Sequence, residues 1–364
     1  MTADYRRFGA PRQYIQGPGV IKRLAEFTVP HGRRPLLVVD EFVLDKLGSV
    51  LTDSFEAAGV DFAVLPCSGD VTRTNIAEHV SSVSDRCRDV VVGVGGGKAL
   101  DLAKGVAIDL DAAMITCPTI ASNDGPTARV LAIYNDDHVL CEVGHLDFNP
   151  SCVVVDTELI SQAPVEFLIS GIGDALAKKF EAAGCSLGTG TTMQGTRPLD
   201  IGGIVANGCF DVLTRHSVEA VKAVENGELN SAVEAVVEAV VLMSGIGYEN
   251  GGLSIAHCMT RGLMAGRGTR SALHGYHVAY GLIVQLVLES HRAETVVEIA
   301  DILRALRLPR SLSDMGMHDA TAEEIRALAV AALAAPHVHN TAAIVTEKTL
   351  IDAIDQVESM NLGE

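Results

Sequence analysis

The sequence has no C-x-x-C pair, no cluster of lysine and arginine interleaved with aromatic side chains, and no uninterrupted apolar run of membrane-spanning length. Its eight cysteines are scattered from Cys67 to Cys258, and Cys117, Cys152 and Cys258 lie inside apolar runs, where a thiol behaves as a small hydrophobe. They read as reduced, structural residues. A formal charge of −18 repels polyphosphate backbones, so nucleic acid is not an expected partner. The apolar runs are short and broken by charge or glycine. Even residues 231–248 carry Glu234 and Glu238, so no transmembrane helix and no membrane partner are expected. The opening residues, MTADYRRFGAPRQ, have no apolar core after their positive charges, unlike a secretory signal, and the expected location is the cytoplasm.

What is present is a chain of 364 residues, 48% hydrophobic, longer than one core usually supports, so two domains are expected. Up to about residue 157, β-branched runs at 36–39, 62–65, 90–94, 114–117 and 152–155 alternate with helix-like segments. Nearly continuous apolar strands suit a parallel sheet buried on both faces. Residues Ala99, Leu102, Ala103, Val106 and Ala107 have the helical spacing that lays a stripe on such a sheet. The expectation is a doubly wound α/β domain over 1–157 and an all-α domain over 158–364, with helices near 165–183, 201–216, 229–246, 251–263 and 276–290. The Gly/Thr-rich stretch 187–197 reads as a loop between helices.

Residues 90–94 run directly into Gly95, Gly96, Gly97 and Lys98, and Ala99 opens a helix. Strand, glycine turn and helix amino terminus together suit a pyrophosphate, because glycines let backbone N–H groups come close and the helix end carries partial positive charge. The G-x-G-x-x-G spacing is not matched, and a glycine turn also serves simply as a turn. Asp40 closes another strand, where a carboxylate accepts hydrogen bonds from a ribose diol and repels a 2′-phosphate, favouring NAD over NADP. The same residue equally suits a helix cap.

In the helical half, three ionisable residues sit beside apolar stripes: Asp174 in LISGIGDALAKKF, His257 in GGLSIAHCMTRGL and His274 in SALHGYHVAYGLIVQLVL. Singly, each reads as a hydrogen-bonded core residue. Together, one carboxylate and two imidazoles suit zinc or ferrous iron and leave coordination positions open, as a catalytic rather than a structural site requires.

The motifs YIQGPGVIKRLAEF (14–27), IASNDGPT (120–127), VDTELISQAP (155–164), GIGDALAKKFEA (171–182), GYENGGLSIAH (247–257) and HGYHVAYGLIVQLVLE (274–289) resemble the glycerol dehydrogenase branch of the iron-containing alcohol dehydrogenase superfamily. The likeness spans nearly the whole chain and fades after about residue 310. It implies an α/β domain holding NAD, a helical domain holding a divalent metal, usually zinc, and an active site in the cleft between them. It further implies that Asp174, His257 and His274 are the metal ligands, and that Gly95, Gly96, Gly97, Lys98 and Asp101 form the phosphate loop. Thr119, Ser122, Ala128, Val130 and Tyr134 match cofactor contacts, Asp40 matches the ribose acceptor, and Asp124 matches a carboxylate bonding the substrate hydroxyls. Homo-oligomers, often octamers, are implied as well. The implied reaction is NAD-linked oxidation of glycerol or another small vicinal diol.

Four residues depart from that pattern: Asn123, Arg129, Tyr276 and His277. An arginine at 129 can pair bidentately with a carboxylate, which makes a 2-hydroxy or 2-oxo acid the alternative substrate, unless it points away from the pocket. Asp124 argues against an anionic substrate. A sugar-phosphate cyclase would need basic residues around a phosphate, for which Arg267 and Arg270 are the candidates, and an inactive scaffold would have no use for the metal set.

Overall fold

The computed structural model describes residues 4–83, 88–135, 140–360 and 362. The chain divides into two compact units. One comprises Ala10–Ala163 with Asn226–Leu229, the other Met1–Gly9, Pro164–Glu225 and Asn230–Glu364.

The first unit is built on a six-stranded sheet from β1 (Tyr14–Gly17), β2 (Pro35–Asp40), β3 (Ala63–Cys67), β4 (Val90–Gly95), β5 (Ala113–Pro118) and β8 (Cys152–Asp156). Their order is β1-β8-β5-β4-β2-β3, and every pairing is parallel. Alternation explains the near-continuous apolar strands. Leu37, Val39, Val92 and Val94 pack on one face with Leu24, Leu51 and Phe55, while Leu36, Val38 and Val91 pack on the other with Ala99, Leu102 and Val106.

The five strands expected from sequence all lie in this sheet. The edge strand β1 and a separate antiparallel hairpin, β6 (Val130–Tyr134) with β7 (Leu140–His145), were not foreseen. β1 has four half-buried residues and β7 is mostly exposed, so neither carries a strong apolar signal.

The sheet order places a chain reversal between β2 and β4. The connection from β2 goes to β3 on one side, and the chain then returns past β2 to β4 on the other. Open parallel sheets bind ligands outside the carboxyl ends of the strands flanking such a reversal. Here those ends are Asp40 and Gly95.

The second unit is helical, with its main helices at Val165–Leu187, Asp200–Glu225, Ser231–Gly251, Ile255–Leu263 and His274–Leu288. Ser231–Gly251 is a single 21-residue helix that continues through a π turn at Ala239–Met243. With a mean hydropathy of 1.4 over its most apolar window it is long and apolar enough to cross a membrane, which corrects the expectation on length. However, 61% of that window is buried inside the protein, as for a core helix.

Helices that carry ionisable groups inward must approach closely, and small residues permit it. A Cβ on Gly173 would meet the Gly275 carbonyl oxygen at 2.5 Å, and one on Gly275 would run into the carbonyl of Ser170. Gly275 N–H also donates to Ser170 Oγ at 3.1 Å. This contact sets the helix carrying Asp174 against the one that begins at His274.

Gly275→Ala should therefore lower unfolding stability by about 2–3 kcal/mol in urea denaturation, the usual cost of overpacking. Gly203→Ala, in a helix where the added methyl meets nothing within 4 Å, should instead be neutral or stabilising by up to about 1 kcal/mol.

Candidate functional site

In the helical unit, Asp174, His257 and His274 converge, with one ligand atom from each lying within 4.8 Å of the others. His257 Nε2 is 3.1 Å and His274 Nε2 3.8 Å from Asp174 Oδ1. The Asp174 and His257 side chains are 1% and 10% exposed, whereas that of His274 is 42% exposed. The set is thus closed on one side and open on the other, which suits a cation that must also meet a substrate.

Two residues that the sequence reading did not single out complete the cluster. Glu181 Oε2 pairs with His257 Nδ1 at 2.8 Å, and Oε1 accepts the backbone N–H groups of Ser254 at 2.8 Å and His257 at 3.1 Å. Those amides belong to the amino-terminal turn of Ile255–Leu263, so Glu181 satisfies that helix end from a neighbouring helix. By holding Nδ1, it also turns Nε2 towards the triad, the usual arrangement for a metal-ligating imidazole. The second residue, Lys178, puts its ammonium 2.6 Å from Asp174 Oδ1 and 3.3 Å from His257 Nε2. A signal for both existed: Asp174, Lys178 and Glu181 follow i, i+4, i+7 spacing on one helix, a single face.

The charges act on one another. Burial opposes the carboxylate of Asp174, but Lys178, then the histidines, hold its pKa well below the usual range. Burial likewise opposes Glu181, and His257 and Lys178 bring it down to about 2. For His257, burial favours the neutral ring, yet Glu181 and Asp174 outweigh it and push the pKa up to about 9.

Tyr276 and His277 do not join this cluster through any described bond. His277 is buried with Nε2 on the Thr269 carbonyl oxygen at 2.8 Å, and Tyr276 lines a small cavity with Arg304, Arg307, Pro309 and Arg310.

In the sheet unit, the remaining expected residues gather around the carboxyl ends of β2, β4 and β5. Gly95 has φ +148°, and a Cβ there would come within 2.9 Å of Asp40 Cβ, so glycine is required where the two strand ends meet. Gly96 caps the helix Gly97–Asp109 without any side-chain bond, and the first-turn amides have no partner within the helix. Thr119 N–H donates to the Gly95 carbonyl at 3.1 Å, tying the loop after β5 to the glycine turn. Ser122, Asn123, Asp124 and Ala128 follow in that loop, with Asp124 9% exposed and Ala128 buried.

Several of these side chains also have structural tasks. Asp40 Oδ1 caps Glu41–Ala57 through the N–H groups of Phe42 and Val43. Asp101 pairs with Lys104 through Oδ1 and accepts Ala132 N–H through Oδ2. Lys104 also reaches the Val130 carbonyl, so these two residues anchor β6, at whose end Tyr134 stands. Lys98 is 69% exposed and pairs with Asp70 at 2.6 Å. Arg129 lies beside His145 and its charge helps lower the pKa of that ring, after burial.

The profile of the iron-containing alcohol dehydrogenase family matches residues 15–164. A glycolaldehyde reductase of Halobacterium salinarum is 35% identical over 354 residues, covering 97% of each chain. A glycerol dehydrogenase of Escherichia coli is 35% identical over 333 residues, covering 91% of this chain and 90% of that one. This chain belongs to the iron-containing alcohol dehydrogenase family. The crystal structure of glycerol dehydrogenase from Schizosaccharomyces pombe superposes with a TM-score of 0.94 at 31% identity, covering 98% of this chain and 91% of that one. Within the family, the chain is a glycerol dehydrogenase-like oxidoreductase, and the Asp174/His257/His274 set is its candidate metal site.

Because a metal takes the neutral imidazole, a proton on His257 competes with it below a pH of about 9. Divalent-metal affinity measured by chelator competition should rise with pH up to that point. Glu181→Gln removes the main group that raises the His257 pKa, and should move this profile to lower pH by roughly one unit or more. An unchanged profile would show that Glu181 does not set the ring's charge.

Proposed function

We propose that this protein catalyses the reversible, NAD-linked and metal-dependent oxidation of glycerol or a related small vicinal diol to the hydroxycarbonyl compound. The observation that carries this reading is the convergence of one carboxylate and two imidazoles, open on the His274 side. An O,N,N donor set of this kind fits zinc and also ferrous iron, and three protein ligands leave room for substrate oxygen. Asp174 Oδ1, His257 Nε2 and His274 Nε2 would hold the ion. A divalent metal bound there supplies Lewis acidity to a hydroxyl oxygen and so favours its deprotonated form.

The chain's own residues do the positioning. Glu181 fixes the ring of His257, and the Gly173–Gly275 approach brings the two helices together. In the sheet unit, the free amides after Gly96 suit the cofactor's pyrophosphate, and the second oxygen of Asp40 suits a ribose hydroxyl. Thr119, Ser122, Ala128, Val130 and Tyr134 would contact the cofactor, and Asp124 would accept hydrogen bonds from the substrate. A nicotinamide held by these residues would supply the hydride acceptor.

The glycolaldehyde reductase and glycerol dehydrogenase relatives stand at the same 35% identity. Glycolaldehyde and dihydroxyacetone share a carbonyl beside a hydroxyl-bearing carbon. That pair of neighbouring oxygens, rather than one compound, is therefore taken as the substrate feature, and reduction of glycolaldehyde is the second reading. A small 2-oxo acid, suggested by Arg129, is less favoured because Asp124 would repel it.

Purified protein should reduce NAD with glycerol or 1,2-propanediol and oxidise NADH with dihydroxyacetone or glycolaldehyde. Chelation should abolish this and zinc should restore it. Turnover of 2-oxo acids only would reject the substrate while keeping the reaction class. Asp40→Ser separates the two tasks of that residue. Serine caps a helix about as well as aspartate, so thermal stability should hold within a few tenths of a kcal/mol. Meanwhile kcat/KM for NAD should fall about tenfold and discrimination against NADP should shrink, as expected for one lost charged hydrogen bond.

A further inference from the structure

The triad already has a cation in it. Lys178 is 1% exposed, and its ammonium lies 2.6 Å from Asp174 Oδ1, 3.2 Å from the Asp174 carbonyl oxygen and 3.3 Å from His257 Nε2. Two of those three atoms are the ones a metal would need. A zinc ion sits about 2.0–2.2 Å from carboxylate oxygen and imidazole nitrogen. Such an ion and the ammonium would therefore crowd the same few ångströms between Asp174 and His257.

Charge points the same way. The buried carboxylates here are Asp174 and Glu181, with side-chain exposures of 1% and 0%. Two negative charges match one divalent ion. Keeping the ammonium beside that ion would leave a surplus positive charge in a desolvated place, which is costly. Conversely, with no divalent ion, the ammonium answers Asp174 directly. Removing it would leave a buried carboxylate without its nearest counter-charge.

We propose that Lys178 is an internal stand-in for the metal: in the metal-free protein its ammonium answers the Asp174 carboxylate and fills the space between Asp174 Oδ1 and His257 Nε2, and a divalent ion binds only by displacing it. The inference rests on the metal reading given above. Displacement moves Nζ off Asp174 Oδ1 by side-chain rotation, and no covalent bond changes. The four-carbon stem of lysine permits this, whereas a shorter or more rigid cation would not swing as freely. Lys178 acts here through Asp174 and the ion, and is a positioning residue rather than a catalytic one.

The test compares the wild-type protein with Lys178→Met and Lys178→Gln, which remove the charge at similar length, and with Lys178→Arg, which keeps it. Zinc affinity is measured by competition with a chromophoric chelator at one fixed, near-neutral pH for all four proteins. Thermal unfolding is followed with and without zinc. The neutral variants should bind zinc at least about tenfold more tightly than wild type, while Lys178→Arg should bind no more tightly. Without zinc, the neutral variants should unfold at a lower temperature than wild type, and saturating zinc should close that gap. Zinc binding by the neutral variants but not by wild type would support the proposal in its strongest form. Equal or weaker zinc binding by both neutral variants would overturn it and leave the metal reading standing. Failure of all four proteins to bind zinc, nickel or ferrous iron would overturn both. Should one neutral variant not fold, the other carries the comparison.

Discussion

A carboxylate buried inside a helix has to be answered by positive charge, and that requirement organises the helical unit. Asp174 is 1% exposed in the middle of a 23-residue helix whose other inward positions are mostly apolar or small. An isolated carboxylate there would be protonated or would destabilise the fold by several kcal/mol. Instead, Lys178 one turn along the same helix, and His257 and His274 from neighbouring helices, come within 4 Å of Asp174 Oδ1. The geometry that meets this need is also the geometry of a cation site. Stability and chemistry are therefore coupled through the same atoms.

The sheet unit meets a different constraint. A parallel sheet buried on both faces has its polar backbone freedom only at the strand ends, and its topology decides which end is useful. The chain reversal between β2 and β4 puts Asp40 and the glycine turn side by side, and the Cβ atoms of Ala99 and Asp40 leave no room for one at Gly95. Asp101, Lys104 and the amide of Ala132 then fasten the hairpin strand to the helix that leaves the glycine turn. Residues that look like cofactor contacts in the sequence are in part the struts that hold the loop cluster together. Asp101 uses both carboxylate oxygens in this way, whereas Asp40 uses only Oδ1, on its helix cap.

The five sheet strands were legible because parallel strands buried on both faces form β-branched runs. The triad was legible because Asp174, His257 and His274 each interrupt an apolar stripe. Lys178 and Glu181 were not, although they share a face with Asp174. Read along the chain, KKFEA looks like the solvated end of a helix, and only packing shows that Lys178 and Glu181 turn inward while Lys179 lies over the ring of Phe210. The departures Tyr276 and His277 follow a metal-histidine candidate in sequence, but helical rotation carries them to the Arg304–Arg307 cavity and to the Thr269 carbonyl instead. The pair β6–β7 escaped notice although β6 reads VLAIY, because its partner β7, LCEVGH, is mostly exposed and offers no apolar run to pair it with.

The order of apolar and polar residues alone determined the α/β start, the helical continuation and the three ionisable residues that had to be explained. Those features depend on local periodicity, which a linear chain displays. Tertiary structure decided which atoms meet: that Glu181 holds the ring of His257, that Asp40 abuts Gly95, and that a lysine ammonium occupies the place of a cation. Apart from the i, i+4 pair of Lys178 with Asp174, these contacts join residues tens of positions apart, and their distances follow from how whole helices and strands pack rather than from spacing in the chain.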